Sequence, residues 1–120
     1  MSKESDRVSE HFLRGEFACK CGCGFAAVDV ELLKILEKLR KRFESPVEIH
    51  SGCRCVEWNK KVGGKPKSQH LRGLAADVVV KGVQPRDVYE FLDSLEVPGL
   101  GKYDTFTHVD VRMKEGKARW

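Results

Sequence analysis

Apolar residues recur at helical spacing in two segments of the chain and predict its two main helices. The first segment follows Asp29, whose side chain suits an N-cap, and ends before Pro46. Its apolar positions are Leu32, Leu33, Ile35, Leu36, Leu39 and Phe43. The second segment starts at Pro85, a residue that the first turn of a helix tolerates, and runs to Leu95. A brief third helix is predicted over 56–62, where two glycines follow.

Three short runs predict strands. Residues 47–50 alternate between apolar and polar, 75–80 form an apolar, β-branched run typical of a buried strand, and 106–113 alternate again. One face of the last run carries Phe106, His108, Asp110 and Arg112, and the other carries Thr107, Val109, Val111 and Met113. The Pro98-Gly99 pair predicts a break in the chain before this last strand.

Residues 1–28 show no sustained period, so they predict a loop-rich N-terminal arm that packs through Phe12, Phe17 and Phe25. A chain of 120 residues can bury one hydrophobic core but not two. We therefore expect a single α+β domain over residues 1–120 with its core at about 29–113. In it, two main helices pack on a small, mostly antiparallel sheet.

Charge and composition limit the kinds of partner that the chain is expected to bind. The formal charge of +4 is modest, and no segment combines dense basic residues with aromatic ones, so we expect no nucleic-acid partner. A mild positive field can help a protein approach an anionic surface such as a bacterial wall, although a solvated basic surface is the simpler interpretation. No apolar run reaches the ~20 residues that cross a bilayer, so we expect no membrane partner.

Five cysteines are many for this length, and they leave three alternatives. Cys19, Cys21 and Cys23 form a C-x-C-x-C run, and Cys53 and Cys55 form a second C-x-C. The odd number argues against a closed set of disulfides, although two bridges and one free thiol fit the count. Reduced thiols suit a cytosolic chain. Thiolates also bind zinc, but this spacing differs from the C-x₂-C of zinc knuckles.

The candidate chemistry centres on two of the four histidines. His70 ends a polar loop, and Asp77 lies in an apolar strand, where a carboxylate is costly to bury without compensating positive charge. His108 lies on the last predicted strand among apolar neighbours. Two imidazoles and one carboxylate form the ligand set of a catalytic zinc, with a fourth position for water, although non-haem iron uses the same set. His11 and His50 have no companion at a telling spacing.

The same residues resemble a known family. The motif Ser68-x-His70-x-x-Gly73-x-Ala75-x-Asp77, followed by His108 on a strand, resembles the zinc motif of the D-alanyl-D-alanine carboxypeptidases (M15-type peptidases). That family includes peptidoglycan peptidases, phage endolysins and the related zinc domain of hedgehog proteins. Similarity extends over about residues 12–113, through Ser51-Gly52-Cys53-Arg54, Asn59-x-x-Val62-Gly63-Gly64, Phe17-x-Cys19-x-Cys21-Gly22 and Thr107-His108-Val109-Asp110-Val111-Arg112. The last two segments resemble a small phage and bacterial subgroup.

The resemblance implies a role for each matching residue. His70, Asp77 and His108 would bind one zinc ion, which lowers the pKa of a bound water to about 7 and polarises the scissile carbonyl. Arg54 would stabilise negative charge in the transition state, because its guanidinium is always charged. Ser68 would bind the substrate beside the first ligand.

The proton acceptor is where the sequence departs from this family. Many relatives place a carboxylate three residues before the last histidine, or a histidine two before it, and here Thr105 and Phe106 occupy those positions. Two carboxylates lie nearby, and we favour Asp110, which shares the strand face of His108, over Asp104. The alternative for Asp110 is to orient a ligand or to pair with a cation.

We therefore expect a monomeric zinc metallopeptidase that cleaves peptidoglycan stem peptides, as a D-Ala-D-Ala carboxypeptidase or an endolysin-type endopeptidase. The alternative is a non-catalytic, zinc-stabilised module that binds the cell wall or belongs to a phage structure. Residues 1–14 lack the apolar stretch of a signal peptide. This predicts synthesis in the cytoplasm and access to the wall by a phage- or prophage-type release.

Overall fold

The computed structural model describes residues 7–112 and 116–120. Its helices are α1 (Val30–Phe43), α2 (Val56–Lys61) and α3 (Pro85–Ser94). Its strands are β1 (Arg7–Ser9), β2 (Phe12–Leu13), β3 (Val47–Ser51), β4 (Ala75–Val80), β5 (Gly99–Lys102), β6 (Thr107–Asp110) and β7 (Ala118–Arg119). Two short 3₁₀ helices span Arg14–Phe17 and Gln69–Arg72. The predicted α+β class is confirmed.

The main sheet has the strand order β3-β4-β6-β5-β7. Every neighbouring pair is antiparallel except β5 with β7, so the mostly antiparallel prediction is confirmed. The register of the two central strands places Asp77 of β4 directly opposite His108 of β6. Directly paired residues on adjacent strands lie close together. The backbone pairing alone thus places the Asp77 carboxylate next to the His108 imidazole.

The hydrophobic core lies on one face of this sheet, under α1 and α3. Strand β4 contributes Ala76, Val78 and Val80, and β6 contributes Val109. Helix α1 begins at its predicted cap, where the Asp29 carboxylate accepts the N–H of Glu31 at 2.8 Å. Because side chains alternate along a strand, residues between the core positions point to the opposite face of the sheet. That face carries Asp77, His108 and Asp110.

Two boundaries differ from the prediction. Pro98-Gly99 does not break the chain, because Gly99 begins β5. Glycine is required there, since a Cβ at Gly99 would collide with the Asp110 carboxylate. Strand β6 ends at Asp110, two residues short of Arg112, and the predicted strand residue Met113 lies outside the described residues. Helix α1 ends before Pro46, as predicted; its last residue is Phe43, and Glu44 follows in a left-handed conformation (φ 49°).

The N-terminal arm contains a β1–β2 hairpin that the sequence pattern did not predict. Phe12 and Phe17 are buried with ring centroids 5.9 Å apart, whereas Phe25 is half-buried. Glu37 of α1 accepts hydrogen bonds from the Ser9 hydroxyl and the His11 backbone, and these bonds attach the hairpin to the core. Among the described residues, no helix combines the length and apolar composition that crossing a membrane requires.

Candidate metal centre

Three side chains converge on one point beside the sheet face that carries Asp77, His108 and Asp110. One ligand atom from each of His70, Asp77 and His108 lies within 4.8 Å of the others. All three residues are buried, with exposed fractions of 2%, 8% and 8%. A carboxylate buried beside two histidines is costly unless positive charge lies near it, and a proton, a metal cation or the Arg54 guanidinium, 3.5 Å from Asp77 Oδ2, can supply that charge.

The 3₁₀ helix Gln69–Arg72 delivers His70 to this point. Ser68 caps the helix, because its hydroxyl accepts the His70 N–H at 3.2 Å. Gly73 ends the helix with φ 69°, and a Cβ there would lie 2.8 Å from the Ala27 carbonyl oxygen. His70 Nδ1 lies 2.6 Å from the Gly52 carbonyl oxygen. Because a carbonyl only accepts, Nδ1 carries the proton and Nε2 keeps its lone pair for a metal.

His108 is also oriented by a hydrogen bond, but through Nε2, whereas His70 is oriented through Nδ1. Its Nε2 lies 2.8 Å from Asp110 Oδ2, while its Nδ1 lies 2.9 Å from Asp77 Oδ1. Asp110 is fully buried and receives Arg112 Nε at 2.9 Å and a second Arg112 nitrogen at 2.7 Å. The guanidinium keeps Asp110 ionised, so Asp110 accepts the Nε2 proton. His108 Nδ1 is then available to a metal.

The electrostatics favour a cation at this point. Burial alone raises the pKa of Asp77, but the hydrogen bond from His108 and the closeness of the two imidazoles outweigh burial and hold that pKa far below its usual range. Burial lowers the pKa of His108, but Asp110 and Asp77 outweigh this effect and raise it. In the metal-free protein, the two carboxylates therefore favour a proton on His108. A divalent metal would compete with that proton for the same place.

The donor set fits zinc. Two imidazole nitrogens and one carboxylate are the ligands of catalytic zinc sites, whereas calcium and magnesium prefer oxygen donors. All three residues also line a cleft of about 480 Å³. A metal held here would therefore keep a coordination position on the cleft side, as a catalytic site requires.

Comparison with known proteins identifies the family. The chain matches the family described as Peptidase M15 over residues 10–110. The chain belongs to the Peptidase M15 family. The match includes His70, Asp77 and His108, and the resemblance noted from the motifs is confirmed. M15 enzymes are zinc peptidases, so membership indicates a hydrolase that acts on peptides. A comparison with curated proteins gave no significant match.

In this M15 chain, Arg54 lies beside the metal-capable group and is held by three partners. Its Nε donates to Ser51 Oγ at 3.2 Å, and its two terminal nitrogens donate to Asn59 Oδ1 at 3.0 Å and to Asp77 Oδ2 at 3.5 Å. Asn59 is itself buried and donates to the Lys65 carbonyl at 2.8 Å. The sequence motif contained Asn59 without a role, and the structure gives it one: it fixes the Arg54 guanidinium at the cleft.

Aromatic residues form a wall of the M15 cleft that the sequence reasoning missed. The Tyr103 and Phe106 rings are stacked with centroids 4.4 Å apart. Trp120 lies 5.0 Å from the His108 ring and donates its indole N–H to the Tyr103 hydroxyl at 2.8 Å. Trp120 follows β7, a two-residue strand too short to show a sequence pattern. Gly101 makes room for it, since a Cβ there would lie 2.5 Å from the indole nitrogen.

The cleft is basic. Arg54, Lys65, Lys67 and Arg112 line it. Within the part of the chain that the structure describes, Asp77 is the only carboxylate residue in the lining. Such a cleft favours a substrate that carries negative charge.

The other predicted site residues, Ser68, Asp110 and Asp104, differ in their burial and in their distance from the cleft. Ser68 lines the cleft and is half-buried. Both oxygens of Asp110 are engaged, by His108 and by Arg112. Asp104 is exposed in the bend between β5 and β6, and among the described residues it makes no hydrogen bond or ion pair. Tyr103, directly before it, and Phe106, two residues after it, line the cleft.

Proposed function

We propose that the chain is a zinc-dependent metallopeptidase that hydrolyses a peptide bond in peptidoglycan stem peptides, as a carboxypeptidase or an endopeptidase. The observation that carries the proposal is the buried His70–Asp77–His108 group at a cleft with a basic lining. Stem peptides carry several free carboxylates, so they match a cleft of this charge. Family membership supports the peptide substrate, and the basic cleft supports the choice of an anionic one.

The residues of the site divide the work. His70, Asp77 and His108 would hold zinc, which when bound supplies a Lewis acid and a water acidic enough to ionise near neutral pH. Arg54, fixed by Ser51 and Asn59, is placed to bind the carbonyl oxygen of the scissile bond as negative charge develops on it. A donor that is already in position avoids reorganisation during the reaction.

The Ser68 hydroxyl can both cap the 3₁₀ helix and donate a hydrogen bond. Its oxygen accepts the His70 N–H, while its own hydroxyl proton can be donated into the cleft. We assign that proton to a substrate carbonyl or carboxylate next to the scissile bond. The hydroxyl thus binds the substrate and, by capping the 3₁₀ helix, also positions His70.

For the two carboxylates, the proposal reverses the preference drawn from the sequence. Asp110 has both oxygens engaged and contacts His108 from the side opposite the metal ligand atom, so we assign it the orienting role. Within the described part of the chain, Asp104 makes no hydrogen bond or ion pair, and it lies in the segment between Tyr103 and Phe106, which both line the cleft. We assign it as proton acceptor, acting directly or through one water.

The proposal extends to the oligomeric state, the partners and the location of the enzyme. The enzyme acts as a monomer on the bacterial wall, without a nucleic-acid or membrane partner, after a phage- or prophage-type release from the cytoplasm. One observation favours the non-catalytic alternative, a zinc-stabilised wall-binding or phage structural module. Among the described cleft residues, no carboxylate other than Asp77 faces the substrate space.

The test is hydrolysis of purified stem peptides by the zinc-loaded protein, with products identified by mass spectrometry. We expect cleavage of a pentapeptide stem, loss of cleavage with a chelator, and recovery on adding zinc. Stem peptides whose carboxylates are amidated should be cleaved more slowly if the basic cleft selects charge. Binding to intact wall without product from any stem peptide would overturn the peptidase proposal in favour of the binding module.

A further inference from the structure

A second group of metal-capable side chains lies outside the cleft. Cys19, Cys21, Cys23 and Cys55 place their sulfur atoms within 4.8 Å of one another. The measured separations are 3.4 Å for Cys19–Cys21, 3.7 Å for Cys21–Cys55 and 3.8 Å for Cys19–Cys55. The structure holds all five cysteines as free thiols. None of these sulfur pairs is at the ~2.05 Å of a disulfide bond.

The separations match those of a tetrahedral thiolate site. Zinc binds thiolate sulfur at about 2.3 Å, and the edge of a tetrahedron of that radius is about 3.8 Å. Two of the three separations lie within 0.1 Å of that edge, and the third is shorter. Cys23 completes a set of four. Four thiolates and no other donor form a closed site, which is the structural rather than the catalytic type.

The loop is shaped to point three thiols at one place. Its first turn is closed by the Gly22 N–H, which donates to the Cys19 carbonyl at 3.2 Å. Gly22 and Gly24 have φ values of 84° and 92°, a region that glycine enters without strain. Each glycine follows a cysteine and turns the chain back on itself. Because of these turns, the C-x-C-x-C spacing can bring its three sulfur atoms together, although it differs from the C-x₂-C spacing of zinc knuckles.

Backbone donors also point at the sulfur atoms. The Cys55 N–H lies 3.4 Å from Cys19 Sγ, and the Trp58 N–H lies 3.4 Å from Cys55 Sγ. Hydrogen bonds to a charged acceptor stabilise the charged form, so these donors favour thiolates. Four thiolates at such distances repel each other unless a cation lies between them.

Cys53 shows what a cysteine outside the group looks like. It is buried, and its thiol donates to the carbonyl oxygens of Phe17 and Phe25, each at 3.1 Å. Its sulfur thus serves as a donor inside the packed arm and does not belong to the group of four. The same chain therefore offers a matched control for any cysteine substitution.

We propose that Cys19, Cys21, Cys23 and Cys55 bind a structural zinc ion, distinct from the one in the cleft. This ion attaches the N-terminal arm to the segment that follows β3. That segment contains Gly52, whose carbonyl orients His70, and Arg54, whose backbone N–H donates to the His70 carbonyl at 2.9 Å. The zinc would thus hold the arm against the residues that position the catalytic centre.

The primary test is the zinc content of full-length protein purified under reducing conditions. We expect two zinc ions per chain in the wild type, and one in each of Cys21→Ser and His70→Ala, which remove different sites. Cys53→Ala should keep both. Cys21 is exposed, so its replacement by serine leaves the packing intact. A single ion in the wild type that Cys21→Ser retains and His70→Ala loses would overturn the proposal.

A cobalt-substituted sample adds a readout that does not depend on activity or stoichiometry. Cobalt bound by thiolates shows strong sulfur-to-metal charge-transfer absorption in the near ultraviolet. We expect that absorption in wild type and His70→Ala, and its loss in Cys21→Ser. Its absence from the wild type, or recovery of a Cys19–Cys21 disulfide from protein kept reduced and zinc-replete, would contradict a metal site. The test leaves the cleft proposal untouched, because His70→Ala is scored separately.

Discussion

The cleft group and the cysteine group differ in what holds their side chains. His70, Asp77 and His108 are buried, two of them on paired central strands, and each histidine has its second nitrogen fixed by another residue. The cysteines lie on an arm loop and at the start of α2, with Cys21 and Cys23 exposed. Here the protein fixes the sulfur atoms less firmly, so the proposed metal would have to complete the arrangement.

Under the two proposals above, the cleft would use its metal for chemistry, whereas the cysteine group would need its metal for structure. Zinc held by three protein ligands would keep a position toward the cleft, whereas zinc held by four thiolates would keep none. Removing zinc from the cleft should therefore stop chemistry and leave the fold intact. Removing it from the cysteines should loosen the arm and affect chemistry only through the Gly52–Arg54 segment.

The largest effect is expected from His70→Ala. It removes a metal ligand, and the lost transition-state stabilisation of several kcal/mol corresponds to a decrease in kcat/KM on the order of a thousand-fold or more. Stem-peptide hydrolysis measures the rate, and circular dichroism checks that the fold persists. A variant that kept wild-type hydrolysis would break the assignment of the cleft as the catalytic site.

Arg54→Ala should be the next most damaging change. Removing one donor for developing negative charge costs roughly a hundred- to a thousand-fold in kcat. The zinc content should stay unchanged, because Arg54 is not a ligand. Arg72→Ala is a matched control, since Arg72 is an exposed arginine outside the cleft lining. Equal losses in both variants would remove any special role for Arg54.

Asp110→Asn and Asp104→Asn should separate the two carboxylate roles. Loss of an orienting carboxylate typically weakens metal binding by about ten- to a hundred-fold, so we expect that decrease in zinc affinity for Asp110→Asn. Asp104→Asn should keep the zinc affinity and lower kcat. Competition with a chromophoric chelator gives the affinities. If Asp104→Asn retained full kcat, the proton acceptor would be another group.

The pH dependence of zinc binding should distinguish the cleft from an ordinary histidine site. Asp110 and Asp77 raise the pKa of His108, so in the metal-free protein its proton persists to higher pH than usual. Zinc must displace that proton, so affinity falls as pH drops through the raised pKa, by about tenfold per pH unit for one proton. Cys21→Ser protein isolates the cleft ion for this titration. Affinity that did not change with pH would contradict a His108 pKa raised by these two carboxylates.

Gly52→Ala should have the smallest effect, and it probes the junction between the two groups. A Cβ there would lie 2.5 Å from the Phe17 Cα, so the arm must move away. Overpacking of this kind costs about 1–3 kcal/mol in the free energy of unfolding. Gly15→Ala is the control, since a Cβ at Gly15 meets nothing within 4 Å. Denaturant unfolding measures both, and equal stability would mean that the arm does not press on this segment.

Long periodic segments were predictable from the sequence. Helices α1 and α3 and strand β4 follow from apolar spacing, because their burial is one-sided or complete over many residues. Strands β5 and β7 were not predictable. Two of the four residues of β5 are glycines, which are needed because the Asp110 carboxylate packs against Gly99 and the Trp120 indole against Gly101. Strand β7 is only two residues long.

The site was predictable as a set of residues but not as a set of contacts. The chemistry of a buried carboxylate between two histidines pointed to Asp77 and its neighbours. The pairing of Asp110 with both His108 and Arg112, and the hold of Asn59 on Arg54, depend on side-chain rotamers that spacing does not encode. The cysteine cluster depends on the turns at Gly22 and Gly24 and on Cys55, which is 36 residues from Cys19 in sequence.

An anomalous difference map at the zinc absorption edge, from crystals grown with zinc, tests the metal centre most directly. We predict a peak bound by His70 Nε2, His108 Nδ1 and the Asp77 carboxylate, with its remaining position facing the cleft. The hydrogen bonds to the Gly52 carbonyl and Asp110 dictate that choice of nitrogens. No peak at these residues in zinc-replete crystals, or a metal bound through His108 Nε2, would contradict the account.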